Sequence, residues 1–228
     1  MIKVCIFDLD GTVLDTLSSI AHFGNAALVH NGLAAIDEAQ YRYFAGDGIH
    51  ELIHRMLRYH GADTDEMYER VYHDYRTAYH SDVSYGTRMF EGLPDVLTRL
   101  HDEGVTLAVV SNKPDEAAKG VVRSLFGDGF FTHVIGQIDG VPLKPDPTAV
   151  WQVLDELQVP RDSACYVGDT STDMQTAKRA GIRAVGVLWG FRDEAELRAS
   201  GADVLCATPQ ELYQAVRAAD EEEGRHIC

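Results

Sequence analysis

Short apolar segments alternate with longer amphipathic segments over most of the chain. The apolar segments are continuously hydrophobic and rich in β-branched residues, which is typical of strands buried on both faces of a parallel sheet. This pattern predicts strands at residues 3–8, 105–111, 132–135, 164–168, 184–188 and 203–206. Helical spacing of apolar positions predicts helices at residues 94–103, 114–126, 148–157, 172–180 and 209–219. The alternation indicates an α/β fold with a doubly wound, Rossmann-like parallel sheet.

One long segment after the first strand contains no strand-like run. Its pattern predicts three helices, at about residues 17–31, 49–60 and 65–80. Four tyrosines recur on one face of the third helix, which we interpret as the core of a small helical bundle. They are Tyr68, Tyr72, Tyr75 and Tyr79. We therefore predict an α/β core built from residues 1–15 and 85–228, with a helical cap inserted as residues 16–84.

The composition is that of an ordinary globular protein with a strong negative charge. Hydrophobic residues make up 45% of the chain and charged residues 25%, which excludes a disordered class. Twenty Lys and Arg residues against 36 Asp and Glu residues leave a net charge of −16, which argues against nucleic-acid binding. No apolar run approaches the ~20 residues of a membrane span, so we expect no membrane contact.

The cysteines indicate the redox compartment. The four cysteines are Cys5, Cys165, Cys206 and Cys228. They lie far apart along the chain and form no Cys-x-x-Cys pair. Two of them stand inside apolar runs, as small buried hydrophobic residues do. We therefore predict a reducing, cytoplasmic location, and the sequence leaves the oligomeric state open.

Polar residues suited to chemistry follow the predicted strands. They are Asp8 and Asp10 after the first strand, Ser111, Asn112 and Lys113 after the second, Lys144 on a proline-stiffened loop, and Asp169 and Asp173 after the fourth. In open α/β sheets, ligands bind outside the carboxyl ends of the strands, so these side chains should converge on one crevice. The joint pattern indicates acids around one cation and one phosphate, with Lys144 offsetting the negative charge. Hard carboxylate oxygens favour Mg²⁺ as the cation.

Four motifs, in this order, resemble those of the haloacid dehalogenase-like superfamily of phosphohydrolases. They are Asp-x-Asp-Gly-Thr at 8–12, Ser-Asn-Lys at 111–113, Lys-Pro-Asp-Pro at 144–147 and Gly-Asp-x-x-x-Asp at 168–173. More closely, the chain resembles the phosphoglycolate phosphatase-like branch, because the first motif extends as Phe-Asp-Leu-Asp-Gly-Thr-Val-Leu-Asp-Thr and Gly-Asp-Gly precedes a predicted helix at 46–48. The resemblance spans residues 7–190 and implies an α/β core with an inserted helical cap.

The resemblance implies a magnesium-dependent phosphatase that works through an aspartyl-phosphate. Asp8 would be the nucleophile, and Asp10 would protonate the leaving oxygen and then activate water. Mg²⁺ would be held by the Asp8 carboxylate, the Asp10 carbonyl and the Asp169 carboxylate, with Asp173 in support. Lys144 would grip the phosphoryl oxygens as a further catalytic residue.

The resemblance also implies a set of substrate-binding residues. They are Thr12, which orders the turn of the first motif, Ser111, the Asn112 amide and Lys113 in the core, and Gly46, Asp47 and Gly48 in the cap. Many relatives carry Asn where this chain has Asp47. A carboxylate there would repel the carboxylate of phosphoglycolate unless Arg42, Arg55 or Lys113 offsets its charge.

The substrate itself stays open, with phosphoglycolate as the first candidate. The alternatives are another small phosphometabolite, such as a nucleotide, a sugar phosphate or pyrophosphate, and a mutase resembling β-phosphoglucomutase. The absence of any lysine between Lys3 and Lys113 excludes a phosphonatase that needs a cap lysine. A non-catalytic regulatory protein is a further class, but the paired acids Asp8 and Asp10 argue against it.

A second metal pattern lies in the predicted cap. His50-Glu51-Leu52-Ile53-His54 matches the His-Glu-x-x-His pattern of zinc proteases, and His60 occupies the third-ligand position of one such class. That class needs a helix-breaking glycine where this chain has Leu57. We therefore interpret these histidines as residues of a helix surface.

Overall fold

The computed structural model describes residues 1–224, in which the chain forms eight strands and ten α-helices. The strands are β1 (Val4–Phe7), β2 (Leu14–Asp15), β3 (Arg88–Met89), β4 (Thr106–Pro114), β5 (His133–Gln137), β6 (Ala164–Gly168), β7 (Arg183–Val187) and β8 (Val204–Cys206). The helices are α1 (Leu17–His30), α2 (Glu38–Phe44), α3 (Ile49–Tyr59), α4 (Asp65–Ser81), α5 (Leu93–Asp102), α6 (Asp115–Phe126), α7 (Thr148–Leu157), α8 (Ser171–Ala180), α9 (Glu194–Ala199) and α10 (Pro209–Gly224). The last four residues of the predicted core, 225–228, which include Cys228, lie outside the described residues.

Six strands form one sheet in the order β5-β4-β1-β6-β7-β8, and every neighbouring pair is parallel. The predicted doubly wound α/β fold is thereby confirmed. Strand β1 lies in the middle, and its Phe7 pairs with Val109 of β4 on one side and with Val167 of β6 on the other. The residues that follow these three strands therefore emerge side by side at the carboxyl edge of the sheet.

Side chains of β1 alternate between the two faces of the sheet because a strand has a repeat of two residues. Cys5 and Phe7 belong to one buried hydrophobic cluster, and Val4 and Ile6 belong to another on the opposite face. All four side chains are fully buried. This double burial explains why the strand is continuously apolar in the sequence.

The segment between β2 and β3 is helical, as predicted, and contains four helices where the pattern indicated three. The additional helix, α2, is seven residues long and carries one buried residue, Tyr41, so its hydrophobic periodicity is weak. The two-residue strands β2 and β3 pair antiparallel at the two ends of the segment, and they were too short to predict. The division into a core and a cap at residues 16 and 84 stays a prediction.

The predicted tyrosine face of α4 divides into two halves. Tyr75 and Tyr79 are buried, and their rings stack at 5.8 Å, in agreement with the interpretation as helical core. Tyr68 and Tyr72 are only half-buried, and both stack against His50 of α3. The second half therefore contributes to the outer surface of the helical segment.

None of the helices within residues 1–224 combines the length and the apolar character that a membrane span requires.

Two glycines inside helices give opposite expectations for the same substitution. A Cβ at Gly24 of α1 would lie 2.6 Å from Cε1 and 2.7 Å from the hydroxyl of the buried Tyr41, whereas a Cβ at Gly120 of α6 would meet only Val83, at 3.7 Å. Ala is favoured over Gly in a helix by about 1 kcal/mol, and overpacking a buried site costs about 1–3 kcal/mol. Gly24→Ala should therefore lower the free energy of unfolding by about 1 kcal/mol, and Gly120→Ala should raise it by about as much.

Urea denaturation of the two variants beside the parent chain measures this difference. Equal effects of the two substitutions would contradict the contact between α1 and α2 at Gly24.

Candidate active site

Three buried carboxylates meet at the carboxyl edge of the sheet. Asp8 follows β1, Asp169 follows β6, and Asp173 lies in the first turn of α8. One oxygen from each lies within 4.8 Å of the others. The sequence prediction that these acids converge is consistent with this geometry, because parallel strands end at a common edge.

Lys144 provides the positive charge inside this cluster. Its ammonium lies 2.7 Å from an Asp173 oxygen and 2.9 Å from Oδ1 of Asp8, and it donates to the Tyr166 hydroxyl at 2.9 Å. Two of the three donors of this ammonium form hydrogen bonds, to Asp173 and Tyr166, and Asp8 is an ion-pair partner. Burial alone would lower the pKa of Lys144, but the carboxylates of Asp173 and Asp8 outweigh burial and raise that pKa above its usual range. The lysine is therefore held as a cation.

The cluster contains three acids and one lysine, and the pKa values of two of the acids are raised. Burial raises the pKa of Asp8 to about 6, with the neighbouring Asp173 adding to the effect and Lys144 opposing it. Burial and the charges of Asp173 and Asp8 raise the pKa of Asp169 as well. Oδ1 of Asp8 lies at ion-pair distance from Lys144 but has no hydrogen bond of good geometry. An acceptor atom is therefore left for a cationic ligand.

Neutral donors hold two of the acids, Asp169 and Asp173, in place. Thr12 donates from Oγ1 to Asp169 at 2.8 Å, and the Phe191 amide donates to the second Asp169 oxygen at 2.7 Å. A Cβ at Gly11 would lie 2.3 Å from that second oxygen, so the positive φ of Gly11 (85°) and its missing side chain both allow the approach. Asp173 accepts from the Thr170 amide and hydroxyl at the start of α8. Thr12 thus binds an acid of the cluster, and its role in ordering the turn of the first motif stays a prediction.

Asp10 stands apart from this cluster. Both of its carboxylate oxygens accept from the ammonium of Lys113, at 2.8 and 3.0 Å. Burial alone would lower the pKa of Lys113, but Asp10 and Tyr79 raise it above the usual range. Of the predicted metal ligands, Asp10 therefore contributes no carboxylate to the group formed by the other three.

Ser111 and Asn112 connect the loops of the site. The Asn112 amide group donates to the carbonyl oxygens of Gly46 and Lys144, and its oxygen accepts from the Lys144 backbone amide. The Ser111 hydroxyl accepts from the Lys113 amide at 3.3 Å. The Asn112 side chain thus fixes the loop of Lys144 and the loop of Gly46 relative to β4.

A cavity lies between the sheet edge and the helical segment. Asp8, Asp10, Gly46, Gly48 and Lys113 are among the residues that line it. The structure therefore brings most of the predicted substrate-binding residues to one cavity. Two of them, Gly46 and Gly48, come from the predicted cap loop.

Asp47 is oriented differently from its glycine neighbours. Its carboxylate accepts from Arg55 at 2.6 Å and from the Thr172 hydroxyl. Burial alone would raise the pKa of Asp47, but these hydrogen bonds hold it below its usual range. The charge that would repel an anionic substrate is therefore offset by Arg55, one of the three residues considered for that role.

The zinc-protease pattern in α3 has other partners. The ring of His50 contacts the Tyr68 hydroxyl, and His54 lies 2.8 Å from Asp63. Glu51 accepts from Arg55 and Arg58. Among residues 1–224 the acids Asp8, Asp169 and Asp173 alone form a group that could hold a metal, which agrees with the interpretation of these histidines as surface residues.

Three residues of the site were not predicted from the sequence. Tyr166 binds Lys144 from inside β6, where it resembles any apolar strand residue. Tyr79 and Arg76 of α4 line the cavity, but Tyr79 was interpreted as helical core. Only the spacing of Arg76 and Tyr79 on one side of α4 could have signalled a joint role.

Comparison with known proteins agrees with this geometry. The family model described as haloacid dehalogenase-like hydrolase matches residues 5–187. A phosphoglycolate phosphatase of Pectobacterium atrosepticum is 30% identical over 90% of this chain and 88% of its own length. A protein of Caldanaerobacter subterraneus subsp. tengcongensis, provisionally named pyrophosphatase PpaX, is 31% identical over 97% of this chain and 98% of its own.

A solved structure shows the same fold over nearly the whole chain. It is a crystal structure from Lactobacillus delbrueckii subsp. bulgaricus, provisionally named a phosphoglycolate phosphatase, with a TM-score of 0.89 and 32% identity over 94% of this chain and 98% of that one. The chain therefore belongs to the haloacid dehalogenase-like hydrolase family. Within that family it is an enzyme of the phosphoglycolate phosphatase-like branch, as its motifs predicted.

Replacing Lys144 tests the charge balance of the cluster. Lys144→Met leaves the buried carboxylates without their cation, so the free energy of unfolding should fall by about 3–5 kcal/mol in metal-free buffer. Lys119→Met removes an exposed ion pair with Asp115 and should change it by no more than about 0.5 kcal/mol. Urea denaturation measures both, and equal losses would contradict the central role of Lys144.

Proposed function

We propose that this chain is a Mg²⁺-dependent phosphatase that hydrolyses a small phosphomonoester through an aspartyl-phosphate on Asp8. The observation that carries the proposal is the buried cluster of Asp8, Asp169 and Asp173 with Lys144 inside it. Such a site has room for a cation and an affinity for the oxygens of a phosphoryl group. The family to which the chain belongs supports the same chemistry.

The donor set of the cluster fits magnesium. All three members offer carboxylate oxygens, which Mg²⁺ prefers, and Oδ1 of Asp8 has no hydrogen-bond donor of good geometry. Asp8, Asp169 and Asp173 would hold the ion, with the Asp10 carbonyl as the further ligand that the resemblance implies. When bound, the ion would neutralise charge on the phosphoryl oxygens and orient the group for attack.

The first half of the reaction transfers the phosphoryl group to the enzyme. A carboxylate oxygen of Asp8 attacks phosphorus, and the bond between phosphorus and the leaving oxygen breaks. The carboxyl group of Asp10 donates its proton to that oxygen, which departs as an alcohol. The Lys144 ammonium, fixed beside Asp8, stabilises negative charge on the phosphoryl oxygens.

The second half returns the enzyme to its starting state. The Asp10 carboxylate accepts a proton from a water molecule as the water oxygen attacks phosphorus. The bond between phosphorus and Asp8 breaks, and inorganic phosphate is released. Both Asp10 oxygens accept from Lys113, as a carboxylate does, so Asp10 gives up one of these hydrogen bonds when it carries the proton of the first step.

Phosphoglycolate is the first candidate substrate, because relatives that match most of the chain carry that activity in their names. Pyrophosphate is the second, because the PpaX relative covers nearly the whole chain at similar identity. The chain needs no nucleic-acid partner for either reaction, and its net charge of −16 disfavours one.

A cytoplasmic location is part of the proposal. Cys5, Cys165 and Cys206 are buried free thiols. The sulfur atoms of Cys5 and Cys165 lie 3.4 Å apart on neighbouring strands and form no disulfide. Free thiols in such proximity are compatible with a reducing compartment.

Substitution of the nucleophile tests the proposed chemistry. Asp8→Asn removes the attacking carboxylate, so phosphate release should fall by about 10³-fold or more. The fold should persist, because the change removes one of three buried like charges. The matched control is Asp102→Asn on the exposed surface of α5, which should retain full activity. Near-normal turnover by Asp8→Asn, measured as phosphate released from p-nitrophenyl phosphate, would refute the assignment.

Metal binding has a readout independent of activity. Magnesium chloride should raise the melting temperature of the parent chain, because a ligand of the folded state stabilises it by mass action. Asp169→Asn should melt at a higher temperature than the parent chain without metal, since one buried repulsion is gone, and should show little further rise with magnesium. Potassium chloride at equal ionic strength controls for screening. A magnesium shift of equal size in both proteins would show that Asp169 is not a ligand.

A further inference from the structure

A short loop of the helical segment lies against the core next to the carboxylate cluster. It connects α2 with α3 and consists of Ala45, Gly46, Asp47 and Gly48. Gly46 and Gly48 line the same cavity as Asp8. The position of this loop 45–48 therefore contributes to the shape of the cavity in which the proposed reaction takes place.

Side chains of the core donate hydrogen bonds to loop 45–48. Two of these bonds end on backbone carbonyl oxygens, and another ends on the carboxylate of Asp47. The pairs are Arg192 with the Ala45 carbonyl at 3.0 Å, Asn112 with the Gly46 carbonyl at 3.3 Å, and the Thr172 hydroxyl with Asp47. A loop of any sequence offers backbone oxygens, whereas the contact with Thr172 depends on which side chain stands at position 47.

Arg55 orients Asp47 for this contact. It donates to the second carboxylate oxygen at 2.6 Å and to the carbonyl oxygen of Phe44, just before the loop, at 3.0 Å. Burial alone would raise the pKa of Asp47, but the hydrogen bonds from Thr172 and Arg55 lower it. Asp47 is therefore a carboxylate with one oxygen bound to the helical segment and the other bound to the core.

Thr172 lies beside the acids that are proposed to hold the metal. It is buried in the first turn of α8, directly before Asp173 and three residues after Asp169. The loop approaches this turn closely, since a Cβ at Gly46 would lie 3.2 Å from Cγ2 of Thr170, and the φ of Gly46 is 114°. Loop 45–48 thus meets the turn that carries one of the three acids.

We propose that Asp47 is a positioning residue, whose hydrogen bond with Thr172 holds the helical segment against the first turn of α8. The inference rests on the proposed phosphatase function, because its kinetic effect is expressed in that reaction. With the hydrogen bond in place, Gly46 and Gly48 form the cavity wall before the substrate binds. Without it, substrate binding must also bring the loop to the core, and this cost raises KM.

Thr172→Val tests this role, because valine has nearly the shape of threonine and lacks the hydroxyl. With phosphoglycolate or pyrophosphate, whichever the parent chain hydrolyses faster, KM should rise about tenfold, as expected for a lost hydrogen bond to a charged group. The kcat should change by less than about threefold, because the loop is in place once the substrate is bound. Thr172→Ser keeps the hydroxyl and should show the KM of the parent chain.

Thr176→Val is the matched control. Thr176 is a buried threonine one turn further along α8, and its hydroxyl donates within the helix, to the carbonyl oxygen of Thr172. This variant should keep the KM of the parent chain. Combining Thr172→Val with Asp47→Ala should raise KM no further than Asp47→Ala alone, because both changes remove the same hydrogen bond.

Hydrogen exchange measures the same contact without substrate or metal. The amides of loop 45–48 should exchange about tenfold faster in Thr172→Val than in the parent chain, because the loop leaves the core more often. In Thr176→Val these amides should exchange as they do in the parent chain.

The outcomes separate the positioning role from the activity. An unchanged KM or an unchanged exchange rate in Thr172→Val would overturn the role of Asp47, and so would additive effects in the double variant. If the magnesium concentration for half-maximal activity rises as much as KM, Thr172 acts through Asp173, and the proposal is wrong. If the parent chain releases no phosphate with magnesium, the proposed function fails, and hydrogen exchange still decides whether Asp47 holds the loop.

Discussion

A lysine ammonium buried among carboxylates is the interaction on which the rest of this structure depends. Charges moved out of water are unfavourable unless each has partners in good geometry, and Lys144 meets this condition only because Asp8, Asp173 and Tyr166 surround it. These four residues come from three separate parts of the chain, because Tyr166 and Asp173 lie on consecutive elements. Their assembly therefore requires that the loops around the sheet edge place these side chains within hydrogen-bond distance of one another.

The central position of β1 satisfies this requirement. Its pairing with both β4 and β6 places the loops that follow the three strands next to one another, and Asn112 ties two further loops to the same edge. Neutral donors complete the arrangement, with Thr12 and the Phe191 amide on the two oxygens of Asp169. The site still carries more negative than positive charge. A bound cation would offset this excess negative charge, and the same cation would bind the phosphoryl oxygens in the proposed reaction.

The helical segment forms part of the cavity wall. The carboxylate cluster and Lys144 address a feature that every phosphate ester shares, the phosphoryl group, and so they cannot distinguish one ester from another. Tyr79 and Arg76 of α4 line the same cavity as Asp8. The ion pairs of Lys144 with Asp8 and Asp173 involve no residue of α4, whereas the buried Lys113 lies against the Tyr79 ring of that helix.

The sequence by itself determined the parallel sheet and the identity of the carboxylate cluster, because both arise from local patterns. Strands buried on both faces are continuously apolar, and the residues that follow parallel strands lie together at the carboxyl edge of the sheet. Only the tertiary structure decided which partner each polar side chain takes. Asp47 binds Arg55, Asp10 binds Lys113, and Tyr79 of α4 lies against the same Lys113. Helical periodicity assigns a tyrosine to a face, but hydrogen bonds depend on what distant segments bring to that face.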